Sequence, residues 1–365
     1  MQEKISGWSG WGAVPALFDE KNSDYAKDRE LLREYLDPEM YAAASRSTIN
    51  AHYTDPDLVR VMWDALHEYG FDGGAVLEPG SGSGNFLGAI PEDLLATTHL
   101  IGVELDPIAA NISRALYPDA NVRTESFADS PFPAGSFDAA IGNVPFGPIR
   151  LHDQRHNAAN LPIHDHFLIK TVDLLRPGGT AMVLTSHYTL DKRDETARRA
   201  MFEQADLVAA VRLPTGAHRR GAGTEVITDA LVLRRRLPHE EPGDDSWLSS
   251  YPFEGDVRIN GHYKNHPEDV LGETTVGHGL YGAGLEVKNG DLAAVPERLS
   301  ERLTARLSQA SERGRDHAPE PRENAPRWTP DELVAKTLAK MSLPSWSVRP
   351  VRRWSTRLIG PNRSR

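Results

Sequence analysis

The sequence predicts an α/β protein built on a doubly wound, mainly parallel sheet. Six short apolar runs recur between residues 75 and 235, and segments with helical spacing separate most of them. The runs are AVLEP (75–79), HLIGVEL (99–105), FDAAIGN (137–143), TAMVLTS (180–186), DLVAAVRL (206–213) and EVITDALVLRR (225–235). The last run follows a turn-rich segment with no helix before it, so it is expected to pair antiparallel with its predecessor as a late hairpin.

Taken in order, residues 1–50 read as an N-terminal extension, with Trp8, Trp11 and Phe18 among Gly and Pro and a helical piece from Asp24 to about Tyr41. Trp8 and Trp11 are expected to be packing anchors. Leu58, Val61, Met62, Ala65 and Leu66 recur at helical spacing behind Asp55 and Pro56, which suit a cap and first turn. The alternating strands and helices occupy 51–237. An accessory segment covers 238–295, and residues 296–365 hold a charged amphipathic helix (296–313), a Pro-rich linker and an Arg-rich tail, expected to be partly disordered.

Composition narrows the chemistry. The 365 residues include no cysteine, which removes disulfides, thiolate nucleophiles and Cys-ligated metals, and with them the cytosine-C5 methylation route that needs a Cys nucleophile. The net charge of −11 argues against a histone-like DNA binder, although six Arg and no acid fall in 345–365, where they are placed to meet phosphates. No run of about 18 apolar residues occurs and the acidic, polar start lacks a signal-peptide layout, so a cytoplasmic protein without membrane contact is expected.

The chemistry-bearing motifs sit at the ends of the predicted strands. In LEPGSGSGNF (77–86) a strand enters a turn whose Gly80, Gly82 and Gly84 let backbone approach a ligand, followed by an expected helix whose N-terminus adds N–H donors. No Gly-Lys-Ser/Thr follows, which rules out a nucleoside-triphosphate loop. Glu78 just ahead of the glycines suits a cationic ligand such as a sulfonium bearing an amino group. Glu104, at the end of GVELD, is placed to hold ribose hydroxyls. GNVPFG (142–147) closes the strand FDAAI at its carboxyl end, where such sheets bind ligands.

Together these motifs resemble the class I S-adenosylmethionine-dependent methyltransferases, in particular the DNA enzymes that methylate amino groups through an Asn/Asp-Pro-Pro-aromatic motif. The pieces occur in the family's order: AHYTDP (51–56), LEPGSGSGNF, GVELD, NVPF and LIKTVDLLRPGGTAMVLTS (168–186). That order is similar to the gamma arrangement of adenine-N6 enzymes. The resemblance covers about residues 50–236 and implies a Rossmann-like, seven-stranded sheet with an antiparallel last strand.

Residue by residue, the resemblance implies cofactor contacts from Tyr53, Thr54, Glu78, Pro79, Gly80, Gly82, Asn85, Phe86, Glu104, Leu105, Ser126 and Phe127, and a catalytic set of Asn143, Val144, Pro145 and Phe146. Asn143 and the Val144 carbonyl would accept the amine hydrogens, Pro145 would stiffen the loop, and Phe146 would stack on an extruded adenine. Val144 replaces the usual Pro. In TESFADSPF (124–132) Ser126 stands where an Asp is usual, with Glu125 and Asp129 beside it.

The segment RLPTGAHRRGAGTEVITDALVLRRR (212–236), WGAVPALFDE and HYKNHPEDVLGE resemble a narrower group, the methyltransferase–helicase proteins of phages, plasmids and integrative elements. There His218 stands where the group has Phe, as a second stacking partner for the base. The implied partners are DNA and a separate helicase or nuclease. Methylation of a protein glutamine or RNA guanine, and a degenerate methyltransferase retained for DNA or partner binding, are the alternatives. His152, Asp153, His156, His164, Asp165 and His166 are read as a solvated or DNA-facing loop, with no metal site.

Overall fold

The computed structural model describes residues 15–47, 54–217, 227–279 and 282–320. Tyr53, His218, Trp8, Trp11 and the Arg-rich tail lie outside the described residues. Short 3-10 turns lead into helices α1 (Ala26–Tyr35) and α2 (Pro38–Ser47). Helix α3 (Pro56–Glu68) starts where Asp55 accepts a bond from the Asp57 N–H at 2.9 Å and Pro56 supplies the first turn. Its Leu58, Val59, Met62, Trp63 and Leu66 are buried, and the Trp63 indole N–H donates to the Phe86 carbonyl at 2.9 Å. The helix therefore grips the loop that follows the first strand.

Strands β1 (Gly74–Pro79), β2 (Thr98–Glu104), β3 (Asn121–Thr124), β4 (Phe137–Asn143), β5 (Leu175–Ser186), β6 (Ala205–Arg212) and β7 (Thr228–Arg235) form one sheet in the order β3-β2-β1-β4-β5-β7-β6. The first five run parallel, while β7 lies antiparallel to both β5 and β6. This is the Rossmann-like, seven-stranded sheet with an antiparallel last strand that the sequence implies. The connecting helices are α4 (Pro107–Leu116), α5 (Ile163–Leu174), α6 (Tyr188–Asp191) and α7 (Thr196–Phe202).

One local expectation is corrected. No α-helix follows the glycine turn; the chain makes only 3-10 turns at Leu87–Ala89 and Glu92–Leu94 before β2. Gly84 and Gly88 within the stretch and Pro91 after it leave no uninterrupted run of good helix formers. Donors for a ligand must therefore come from the turn itself.

Residues 238–320 pack onto the same core. Hairpins β8 (Ser250–Glu254)/β9 (Val257–Asn260) and β10 (Glu273–Gly279)/β11 (Gly282–Lys288) bracket α8 (Gly261–Asn265), and Trp247, Tyr263, Val270 and Val287 belong to the cluster built on β4 and β5. Helix α9 (Val295–Glu312) buries Leu299, Leu303 and Leu307 against α3 and β6. None of the described helices is long and apolar enough to cross a membrane.

Candidate active site

The carboxyl ends of β1, β2 and β4 meet at one edge of the sheet. There the Gly82 N–H donates to one Glu104 oxygen at 2.7 Å and the Asp106 N–H to the other at 2.7 Å. Burial outweighs these bonds and lifts the Glu104 carboxyl to about 7. Leu105 follows it with its side chain 57% exposed, an open apolar surface beside the carboxylate.

Glu78 is 3% exposed and accepts from the Leu87 N–H at 3.1 Å, which ties β1 to the far side of the glycine turn. Its carboxyl is raised well above the usual range, by burial first and with Glu104 adding to it. Phe86 is likewise buried in the core, and Pro79 ends β1. Asn85 is half-buried in the turn.

Gly84 shows why the turn needs glycine. Its φ is +88°, and a Cβ there would stand 2.5 Å from Ser113 Oγ and 2.8 Å from the Tyr117 ring. Gly84→Ala should therefore lower unfolding stability by about 1–3 kcal/mol, read from the denaturant midpoint; an unchanged midpoint would contradict the packing described. A Cβ on Gly82 would meet nothing within 4 Å, so that backbone faces open space.

The third component is the turn after β4. A Cβ on Gly80 would lie 3.2 Å from Pro145 Cδ, which brings the glycine turn and the 143–146 segment side by side. Asn143 Nδ2 donates to Thr54 Oγ1 at 3.1 Å, and this contact fixes which way the amide faces. The Val144 N–H donates to the Leu184 carbonyl at 3.0 Å and its side chain is fully buried, so the 144 peptide is held to β5. Phe146 is 9% exposed, so its ring is largely covered and is not an open platform.

Ser126 and Phe127 stand at the end of β3. Ser126 Oγ accepts from the Ala128 N–H at 3.3 Å. The Phe127 ring is buried against Phe167, 4.8 Å between centroids, with Lys170 Nζ 5.1 Å from its centre. It is part of the core wall behind the cleft.

The histidine-rich segment is not the solvated loop that its composition suggests. Asp153 Oδ2 gathers His166 Nε2 at 3.0 Å, His156 Nδ1 at 3.1 Å and Lys170 Nζ at 3.3 Å, while His156 Nε2 reaches Asp173 at 3.0 Å. Burial opposes ionisation of Asp153, but the bonds from His166 and His156 and the Lys170 charge hold its carboxyl well below the usual range. His164 and His166 are buried on α5, and burial pushes His164 down to about 4. These contacts tie the loop to α5 through Asp153 and His156, while Arg150, His152, Gln154 and Arg155 remain exposed.

Residues 77–146 match a protein-family model described as "Methyltransferase domain". The matched span runs from β1 through the glycine turn and Glu104 to Phe146, the same elements that meet at the cleft. The match covers 70 of the 365 residues. A domain of this class takes its methyl group from S-adenosyl-L-methionine, and the residues fit that molecule: open backbone at Gly82, a carboxylate at Glu104 and exposed apolar surface at Leu105.

A phage P1 protein of Escherichia described as "Defense against restriction protein B" is 26% identical over 196 residues, which is 52% of this chain and 8% of that protein. The chain thus spans less than a tenth of that curated relative. Similar solved structures include a modification subunit of a putative type I restriction enzyme from Vibrio vulnificus YJ016 (20% identity, TM-score 0.45, 59% of this chain and 48% of that one). A type I restriction-modification methyltransferase subunit from Streptococcus thermophilus aligns at 14% identity and TM-score 0.47, covering 80% of this chain and 65% of that one. A putative class I S-adenosylmethionine-dependent methyltransferase from Listeria monocytogenes aligns at 15% identity and TM-score 0.45, over 64% and 82%.

Proposed function

We propose that the methyltransferase domain methylates the N6 amine of adenine in DNA. The observation that carries this reading is the 143–146 turn, held against the glycine turn by Pro145 and Gly80, with the Asn143 amide oriented by Thr54. An adenine amine is a weak nucleophile because its lone pair is delocalised into the ring. Two protein oxygens that accept its hydrogens return electron density to nitrogen, and Asn143 Oδ1 with the Val144 carbonyl supplies them. The cofactor contributes an electrophilic methyl when bound. The protein's share is alignment in a water-poor cleft, and neither metal nor covalent attachment to a side chain enters the proposed step.

Phe146, directly after the Asn143–Pro145 turn, is placed to stack on a base swung out of the helix. Val144 in place of proline preserves the carbonyl that the step requires. The phage relative's description as a defence against restriction fits an enzyme that modifies DNA.

The Glu104 carboxyl gives a pH signature. Only the ionised form accepts both ribose hydroxyls, and in the free protein this carboxyl titrates at about 7. Cofactor affinity is therefore present above pH 7 and lost as pH falls through it, so Kd should rise about tenfold between pH 8 and pH 6. Calorimetric titration of wild type and Glu104→Gln checks this: the variant should bind weakly at both values, and a wild-type Kd independent of pH would overturn the assignment.

Labelled methyl transfer to DNA, RNA and total protein, measured side by side, tests the substrate. Incorporation into DNA alone is expected. Label only on protein or RNA would redirect the reading to the glutamine or guanine alternatives, and no transfer with intact cofactor binding would make the domain a binding module.

A further inference from the structure

Among the described residues after Thr54, the strongly exposed aromatic rings are Tyr188 at 59% and Tyr251 and Phe253 at 41% each. The topology brings the elements that carry them into contact. Helix α6, which carries Tyr188, packs against both strands of the β8/β9 hairpin that carries the other two. Asn260 donates its N–H to Asp191 Oδ1 at 2.8 Å and its side-chain amide to the Leu190 carbonyl at 2.8 Å, while Ser250 Oγ donates to the Lys192 carbonyl at 3.1 Å. The hairpin is thereby tied to the chain that leaves β5.

That chain leaves β5 beside the methyl-transfer turn. Val144 is bonded to Leu184, and Tyr188 comes four residues later, within roughly 14 Å of extended backbone, about the span of four stacked bases. Tyr188 is also backed by a fixed surface. Its ring lies 4.1 Å from that of His187 at 34°, and His187 Nδ1 pairs with Asp191 at 3.1 Å. A ring already held from behind loses little freedom when something stacks on its open face.

We propose that Tyr188, Tyr251 and Phe253 form a stacking surface for unpaired bases flanking the target adenine on the DNA strand. This rests on the DNA reading above and assigns the strand a path from the 143–146 turn across α6 to the hairpin. The charges here favour bases over backbone. Lys264 Nζ sits 4.4 Å from the Tyr251 ring centre and Arg193 is exposed, but Asp194, Glu254 and Asp256 are exposed as well, so no phosphate-gripping field forms. In a chain of net charge −11, strand affinity leans on stacking, which tolerates many sequences because every base has a π-face.

The full chain, irradiated with short random-sequence single strands carrying 5-iododeoxyuridine, should yield crosslinked peptides containing Tyr188, Tyr251 or Phe253. Tyr188→Ala and the Tyr251→Ala/Phe253→Ala pair should each bind the strand about tenfold more weakly and raise its KM similarly. Their kcat should stay within about twofold and S-adenosylmethionine affinity should be unchanged. Wild type that methylates DNA while crosslinking elsewhere, with variants binding as well as it does, overturns the surface and leaves the function standing. Self-association lost in the variants, with DNA binding intact, would make the rings a contact between copies and also overturn it. Wild type that neither binds nor methylates DNA defeats the DNA reading and this inference together.

Discussion

Asn143→Ala is expected to slow single-turnover methyl transfer by about 10²–10³-fold, the usual cost of one group aimed at charge that develops in a transition state. Cofactor affinity should hardly change. Asn143 ends β4, whereas the open Gly82 backbone and the Glu104 carboxylate that fit the cofactor lie at the ends of β1 and β2; Thr54, which Asn143 touches, is the expected cofactor residue on this side. Thr54→Val should give a smaller loss of the same kind, because it removes the partner that orients the amide and leaves the amide in place. If Asn143→Ala weakened cofactor binding in proportion to rate, the residue would belong to the binding site and not to the reacting amine. Rapid-quench rates with calorimetric Kd values separate the two.

A second large effect is expected far from the reacting atoms. Arg212, at the end of β6, is fully buried; its Nε and Nη2 donate to the two oxygens of Asp229 at 2.8 and 2.9 Å, and Nη1 lies 2.8 Å from Asp191. Burial alone would lower the guanidinium pKa, and the two carboxylates outweigh it, so the pKa is raised. The Tyr263 ring covers the group at 4.2 Å. Asp229→Ala leaves a buried charge with half its compensation and should cost about 3–5 kcal/mol, a large share of a typical domain's stability. Replacing Arg212 together with both carboxylates, Arg212→Met with Asp229→Leu and Asp191→Asn, should cost less than Asp229→Ala alone. Urea denaturation of the wild type and the two variants measures this, and equal losses for the single and the triple variant would contradict the ion-pair reading.

The order of motifs made the sheet and its ligand edge legible. Each strand with a continuous apolar run was readable, and Glu104 and Asn143 stand at strand ends where the sequence puts them. Strand β3 was not readable as a run, because NVRT is four residues long with one buried position. The Arg212–Asp229 pair left a signal that periodicity overlooks: opposite charges that stand in register on two largely apolar strands.

Composition misled where tertiary contacts decide. His156, His164 and His166 look solvated beside Asp153 and Asp165, yet α5 buries two of them and Asp153 binds the loop down. The bond from the Leu87 N–H to Glu78 was not legible in LEPG, because it depends on how the chain turns nine residues later. The segment after 236 gave no sign of its place because Trp247 and Tyr263, its anchors, are isolated among polar residues and complete a core begun many residues earlier.

The most direct test of the central claim is nucleoside analysis of DNA after incubation with the full chain and S-adenosylmethionine carrying a labelled methyl group. The account predicts label in N6-methyldeoxyadenosine with wild type and its near-complete loss with Asn143→Ala. Label in a methylated cytosine, or the same yield from both proteins, would contradict it.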